Sequence, residues 1–214
     1  MTDLPSDTPP DTSTRGAERR RITAETDIFV ALNLDSLLAD TSAARINTSV
    51  PFLDHMLTSF ARHGRLSLRV VARGDTEVDD HHTVEDIGLV LGQVILEALG
   101  ERRGITRFGY AYAPMDEALA RAIVDISGRP YLVYETASVL FPERVGRFDT
   151  SLVEEFWRAF ATEARVTLHL DVLRARNAHH AFEALFKATG LAIWAATRPR
   201  ADDQSIPSTK GVLG

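Results

Sequence analysis

The chain reads as an α+β protein built from two duplicated halves, and three observations say so. His81-His82-Thr83-Val84-Glu85 returns as His179-His180-Ala181-Phe182-Glu183, 98 residues further along (81 to 179). Each pentad opens an apolar helical stretch and follows the same order of strand, helix and strand. No Gly-rich turn joins a strand to a helix, which favours mostly antiparallel strands over a doubly wound sheet. The expected architecture is two sheets, or one continuous sheet, with the helices gathered on one face.

The elements follow in order. Residues 1–17 are rich in Pro, Thr, Ser and Asp without apolar periodicity, the composition of a disordered tail. Ile22–Leu34 reads as a strand, because Ile28, Val30 and Leu32 alternate with other residues. Pro51–Arg62 is a helix carrying Phe52, Met56, Leu57 and Phe60, and Leu66–Val70 is a strand. Thr83–Leu99 is a long helix stopped by Gly100. The second half supplies strands at Ala118–Ile126 and Pro130–Val139 around a Ser127-Gly128-Arg129-Pro130 turn. A helix at Leu152–Ala164, a strand at Val166–Leu170 and a helix at His180–Ala196 complete it. Residues 18–105 and 106–201 form the two half-repeats, and 202–214 a C-terminal tail.

Composition narrows the function. A net charge of −6 argues against general nucleic-acid binding, which wants a basic surface. Cysteine is absent, so thiolate metal sites and disulfides are excluded. No apolar run approaches the roughly 20 residues that span a membrane. The N-terminus lacks the apolar stretch of a signal peptide, and Asp3, Asp7 and Asp11 make it too acidic for a transit peptide. The expectation is a cytoplasmic enzyme or binding protein.

Four of the seven histidines are spent on the two doublets. On a helix, the first His and the Glu of each pentad share one face, while the second His points about 100° away. Two such helices, packed together or facing across a subunit boundary, therefore build two separate sites. Imidazole with carboxylate suits Mn, Fe, Zn or Co, and a carboxylate-rich set suits six-coordinate Mn. Asp79 and Asp80 are either acceptors that orient the imidazoles or helix caps. His63 and His169 stand outside the repeat, in structural or substrate-side places. Aligning the halves also sets Glu155 opposite His55, each near the start of its half's first helix.

These motifs resemble the imidazoleglycerol-phosphate dehydratase family. The resemblance runs from about Arg20 to Gly211. It rests on Arg21-Ile22-Thr23-Ala24-Glu25-Thr26, Pro51-Phe52-Leu53-Asp54-His55-Met56-Leu57 and both doublets. Arg107-Phe108-Gly109, Ser127-Gly128-Arg129-Pro130-Tyr131, Phe186-Lys187 and Pro207-Ser208-Thr209-Lys210-Gly211 extend it. It implies a duplicated split βαβ unit of the ribosomal-protein-like superfold, with sheets on one side and helices on the other. The implied reaction removes water from imidazole glycerol phosphate to give imidazole acetol phosphate, in histidine biosynthesis.

The resemblance further implies two Mn ions per subunit. Their ligands would be His55, His81, His82, Glu85, His179, His180 and Glu183, with Glu155 the candidate for one more, since some relatives carry His there. It implies sites shared between subunits of a 24-subunit shell built from trimers. The proton to be removed is not acidic by itself. Metals at both ring nitrogens would stabilise an imidazolate and favour a neutral diazafulvene as hydroxide leaves. Glu25 is the implied proton-transferring carboxylate. Arg107, Arg129, Lys187, Ser208 and Lys210, with Thr209 beside them in the tail motif, are the implied phosphate and substrate contacts. One departure is Ala175, in Arg174-Ala175-Arg176-Asn177, where relatives usually carry Gly.

Two other readings use the same ligands: a dinuclear metal hydrolase that activates a bridging water, and a metal-assembled shell protein without catalysis. The cationic cluster argues against the first and Glu25 against the second. A small-molecule kinase lacks its phosphate-cradling Gly-rich loop here.

Overall fold

The computed structural model describes residues 15–35, 45–136 and 139–213. The first half runs β1 (Gly16–Ile22), β2 (Thr26–Asn33), β3 (Arg45–Asn47), α1 (Pro51–Gly64), β4 (Ser67–Gly74) and α2 (His81–Leu99). The second half repeats that order. It has β5 (Phe108–Met115), β6 (Ala118–Asp125), β7 (Tyr131–Glu135), a hairpin of β8 (Arg144–Val145) and β9 (Phe148–Asp149), α3 (Leu152–Ala164), β10 (Thr167–Arg174) and α4 (Ala178–Thr197).

The strand orders β1-β2-β4-β3 and β5-β6-β10-β7 are the same plan twice. In each sheet the last pair is parallel and the others antiparallel. This is the duplicated α+β arrangement expected from the sequence. Each half has its sheet on one side and its helices on the other, and the halves join through the helices.

The helix pairs that join them cross between halves: α2 packs on α3 and α1 on α4. One core results rather than two. Phe60 of α1, Phe156, Trp157 and Phe160 of α3, and Phe186 of α4 are all buried within it, with ring centroids 4.8 to 5.8 Å apart. Such tilted and edge-on aromatic pairs add to the area they bury. Helices α1 and α3 even end alike. Arg65 and Arg165 each take a left-handed conformation (φ 51° and 52°), and each donates its N–H back to the last turn.

Several elements differ from the sequence expectation. The predicted strand from Ile22 to Leu34 is the end of one strand and the whole of another. The Thr23 hydroxyl accepts the N–H groups of Glu25 (3.1 Å) and Thr26 (2.9 Å), and that turn splits a hairpin. Strand β1 then reaches back to Gly16, into the segment assigned to the tail. Arg15 is fixed by Asp35 at 2.5 Å, while residues 1–14 lie outside the described residues. The strand expected over Pro130–Val139 stops at Glu135, and residues 137–138 lie outside the described residues. No helix among the described residues is long and apolar enough to cross a membrane.

Candidate metal centre and substrate site

Both histidine doublets occupy the first turn of a long helix. In α4 the Asn177 side chain caps the helix by accepting the N–H of His179 at 2.9 Å. In α2 the N-cap residue is Asp80, whose side chain makes no capping bond, and it is the Asp79 carboxylate that accepts the N–H of His81 at 2.7 Å. Both bonds tie down the backbone of the first histidine in each doublet.

The helix crossing α1·α4 then brings three donors together. His55 Nε2 lies 3.1 Å from Glu183 Oε2, and His179 Nε2 lies 3.3 Å from the same oxygen. The ligand atoms of His55, His179 and Glu183 all fall within 4.8 Å of one another. The other Glu183 oxygen, Oε1, faces Lys187 Nζ at 2.7 Å. Burial pushes the Glu183 carboxyl up, but the hydrogen bonds from Lys187 and His55 prevail and hold it at about 2. An ionised carboxylate flanked by two imidazoles, with no sulfur, is a donor set for a divalent first-row ion.

The repeat predicts a second trio from Glu155, His81 and Glu85. His81 Nε2 and Glu85 Oε2 are 3.9 Å apart, as their spacing requires. Glu155 does not join them within one chain; its carboxylate faces Arg158 at 3.7 Å. Among the described residues the His55, His179 and Glu183 group is the only such cluster of three.

The second histidines of the doublets are held differently. His82 Nδ1 meets Asp75 at 3.1 Å, and His180 Nδ1 meets Glu117 at 2.9 Å. Hydrogen bonding to Asp75 raises His82, and hydrogen bonding to Glu117 raises His180. Glu117 is itself held at about 2, chiefly by His180. Sequence reasoning missed both carboxylates. Their signal was position: Asp75 directly follows β4, and Glu117 directly precedes β6. Glu25, in the β1–β2 turn, comes within 3.9 Å of His82 Nδ1 and is largely exposed. His63 is half-buried in α1, where burial lowers it, and His169 sits on β10 opposite Ile123 and Val133.

The residues assigned to phosphate fall into two places. Arg107 Nε and Nη2 form a fork on Asp125 at 2.7 and 3.1 Å, and its Nη1 donates to the Pro207 carbonyl at 2.7 Å. Arg129 reaches the same Asp125 at 3.9 Å and is mostly exposed. The contact with Pro207 brings the C-terminal tail alongside. There the Ser208 hydroxyl accepts the N–H of Lys210 at 3.2 Å, Thr209 lies exposed in the turn, and Gly211 turns with φ 73°. Lys187 is elsewhere, in the cluster with Glu183.

The two places sit at opposite ends of α4. The Arg107 N–H donates to the carbonyl of Ala196, near the C-terminus of that helix, whereas His179 is in its first turn. At ~1.5 Å per residue, the 17 steps from 179 to 196 span about 25 Å.

Comparison with known proteins matches this arrangement to one family. The family model described as imidazoleglycerol-phosphate dehydratase matches residues 48–193. A protein of that name from Halorhodospira halophila is 54% identical over 201 residues, covering 93% of this chain and 98% of the relative. Another from Caldanaerobacter subterraneus is 52% identical, covering 93% of this chain and 100% of the relative. The crystal structure of the Staphylococcus aureus enzyme superposes with a TM-score of 0.75 at 44% identity, covering 86% of this chain and 99% of that one. That from Pyrococcus furiosus, in complex with (S)-C348, gives 0.76 at 39% identity, covering 91% of this chain and 100% of that one. The chain therefore belongs to the imidazoleglycerol-phosphate dehydratase family.

Proposed function

We propose that this chain dehydrates imidazole glycerol phosphate to imidazole acetol phosphate in a metal-dependent reaction, at sites completed between subunits. The observation that carries the metal reading is the cluster of His55, His179 and Glu183, whose donors come from both halves of the repeat and fall within 4.8 Å. Together with His81, His82, Glu85, His180 and Glu155, these residues would hold two Mn ions per subunit. Bound there, the ions would supply Lewis-acid stabilisation of negative charge on the substrate's imidazole ring.

The remaining roles belong to the protein. Hydroxide leaves the carbon attached to the ring and a proton leaves the neighbouring carbon, which gives water and an enol. The enol hydroxyl then loses its proton as the ring-attached carbon gains one, and the ketone results. Glu25 is the proton-transferring carboxylate, because it reaches the doublet without being tied to it. Arg129, Ser208, Thr209 and Lys210 receive the phosphate, with Arg107 holding the tail in place beside Asp125. Lys187 keeps Glu183 ionised and cancels part of the charge gathered at the metal end.

The two ends of α4 support a shared site. A three-carbon phosphate ester cannot join groups about 25 Å apart, so the metal end of one subunit is completed by the phosphate end of another. The outer face of the second sheet supports assembly too. Phe108, Tyr110, Tyr112 and Tyr131 are 53 to 73% exposed on it, an aromatic surface of the kind that subunits cover. A shell of 24 subunits built from trimers meets both requirements.

The test is product analysis with imidazole glycerol phosphate, before and after chelation and with Mn restored. The expected result is ketone phosphate formation that disappears on chelation and returns with Mn. Release of free phosphate without a ketone would make the protein a hydrolase instead.

A further inference from the structure

Glu117 occupies in the second half the place that Glu25 occupies in the first. Each immediately precedes the second strand of its sheet, Glu25 before β2 and Glu117 before β6, and those strands are equivalent in the two sheet orders. Their side chains do different things. Glu25 stays 3.9 Å from His82, whose Nδ1 is taken by Asp75 at 3.1 Å. Glu117 is in direct contact with His180 Nδ1 at 2.9 Å through Oε2. Its other oxygen, Oε1, accepts the N–H groups of Arg176 and Asn177 at 3.1 and 2.9 Å. Asn177 is the residue that caps α4.

We propose that Glu117 is a positioning residue that fixes His180 with its proton on Nδ1, so that the Nε2 lone pair faces outward as a metal donor. Asp75 does the same for His82. A carboxylate is an acceptor only, so the nitrogen it faces must carry the hydrogen, and in the neutral ring that a metal binds the other nitrogen is then the bare one. Such a partner also orients the ring and increases its basicity as a ligand. Assigning this task to Asp75 in the first half leaves the Glu25 carboxylate unattached and available for proton transfer. Duplication thus supplied two equivalent carboxylates, one retained as a clamp and the other released for chemistry. The inference rests on the metal reading proposed above.

Glu117→Gln separates the clamp from the structural role. The amide oxygen can still accept from Arg176 and Asn177, which keeps the loop before α4 in place. The atom facing His180 then becomes an NH2 donor, which selects the opposite tautomer and places a hydrogen on Nε2. Turning the amide over would set its donors against two backbone N–H groups. Mn titration of the metal-stripped full-length protein by calorimetry reads the effect. The expected result is about 10- to 100-fold weaker binding at one of the sites, with thermal unfolding of the metal-free protein unchanged.

Glu117→Ala should weaken Mn binding and also lower the unfolding temperature, since it releases the loop as well. The proposal is overturned if Glu117→Gln binds Mn like the parent, or if it loses thermal stability along with affinity, for Glu117 then only ties the loop. Absence of Mn binding by the parent protein would remove the metal reading itself, and this inference with it.

Discussion

Gly92 of α2 and Gly190 of α4 stand 98 residues apart in the chain (92 to 190) and occupy equivalent places at the two helix crossings. A Cβ on Gly92 would lie 2.6 Å from the carbonyl oxygen of Phe160, and one on Gly190 would collide with the carbonyl oxygen of Phe60. Phe60 and Phe160 are themselves the matching residues of α1 and α3. The crossings therefore run backbone on backbone, and the one at Gly190 sets how close His55 on α1 comes to His179 and Glu183 on α4.

Gly190→Ala should destabilise the protein although alanine favours the helix. The propensity gain is about 1 kcal/mol, whereas the added methyl meets backbone atoms that move only with a whole helix. Overpacking of this kind costs roughly 1–3 kcal/mol, and more against backbone. The expected net effect is a drop of several degrees in Tm, at about 2–4 °C per kcal/mol for a chain of this size. Gly92→Ala should behave alike. An unchanged or higher Tm for both would show that the helices can separate without loss.

The helices were legible in sequence because their buried faces repeat at helical spacing, and α3 has the boundaries that its apolar pattern marks. Five strands were not: β1 apart from its last residue, β3, β5, β8 and β9. Strand β1 carries Arg19, Arg20 and Arg21 on an edge, where pairing with β2 and ion pairs with Glu97, Asp27 and Asp86 hold it, not an apolar face. Strand β5 inverts the usual pattern. Its inward residues Gly109, Ala111 and Ala113 are small because α4 packs close, and its outward residues Phe108, Tyr110 and Tyr112 are large. The doublets announced the metal-type donors by repetition. Asp75 and Glu117 did not announce themselves, since each is a carboxylate outside the repeated pentads that gains meaning only when the fold sets it against an imidazole.

Glu25→Gln should fold, assemble and bind Mn as the parent does, yet lose turnover by roughly 100- to 10,000-fold. Gln matches Glu in shape but cannot take a proton. Its position in the turn is fixed by the Thr23 hydroxyl acting on its backbone, which the change leaves intact. Retention of more than a few per cent of kcat would assign proton transfer to another group.

Chelation should remove activity and weaken assembly together. Under the shared-site proposal, ligands from different subunits would make metal binding and association one equilibrium, so stripping the metal would lower the apparent stability of the assembly. Light scattering on metal-stripped protein reads this. A high-mass species of unchanged size and stability would mean that the subunit contacts stand without the ions.

Arg107→Lys should loosen the C-terminal tail. The guanidinium spans Asp125 with two nitrogens and holds the Pro207 carbonyl with a third, a fork that an ammonium cannot reproduce. Losing a charged hydrogen bond of this kind costs about 1.5–3 kcal/mol. We expect KM for the phosphorylated substrate to rise about tenfold or more, with a smaller fall in kcat, and trypsin to cut faster at Lys210. An unchanged KM with a protected tail would show that Pro207 is held by other contacts.

Glu155 makes the sharpest prediction. The repeat sets it opposite His55, and the same offset of 100 that relates Phe60 to Phe160 relates 55 to 155. Within one chain its carboxylate turns to Arg158 at 3.7 Å, away from a trio with His81 and Glu85. A ligand role therefore requires the side chain to leave Arg158 when the metal and the neighbouring subunit are in place. A carboxylate there, in place of imidazole, adds negative charge and favours harder, oxygen-preferring ions. Glu155→Ala should weaken one of the two Mn sites per subunit by at least about tenfold, the lower end of what even supporting residues contribute, and leave the other unchanged. Glu155→His should restore binding while shifting preference from Mn toward Zn, because imidazole suits the softer ion. Two Mn per subunit with unchanged affinity in Glu155→Ala would show that the position is an ordinary helix surface residue and that the repeat's symmetry stops short of the ligand set.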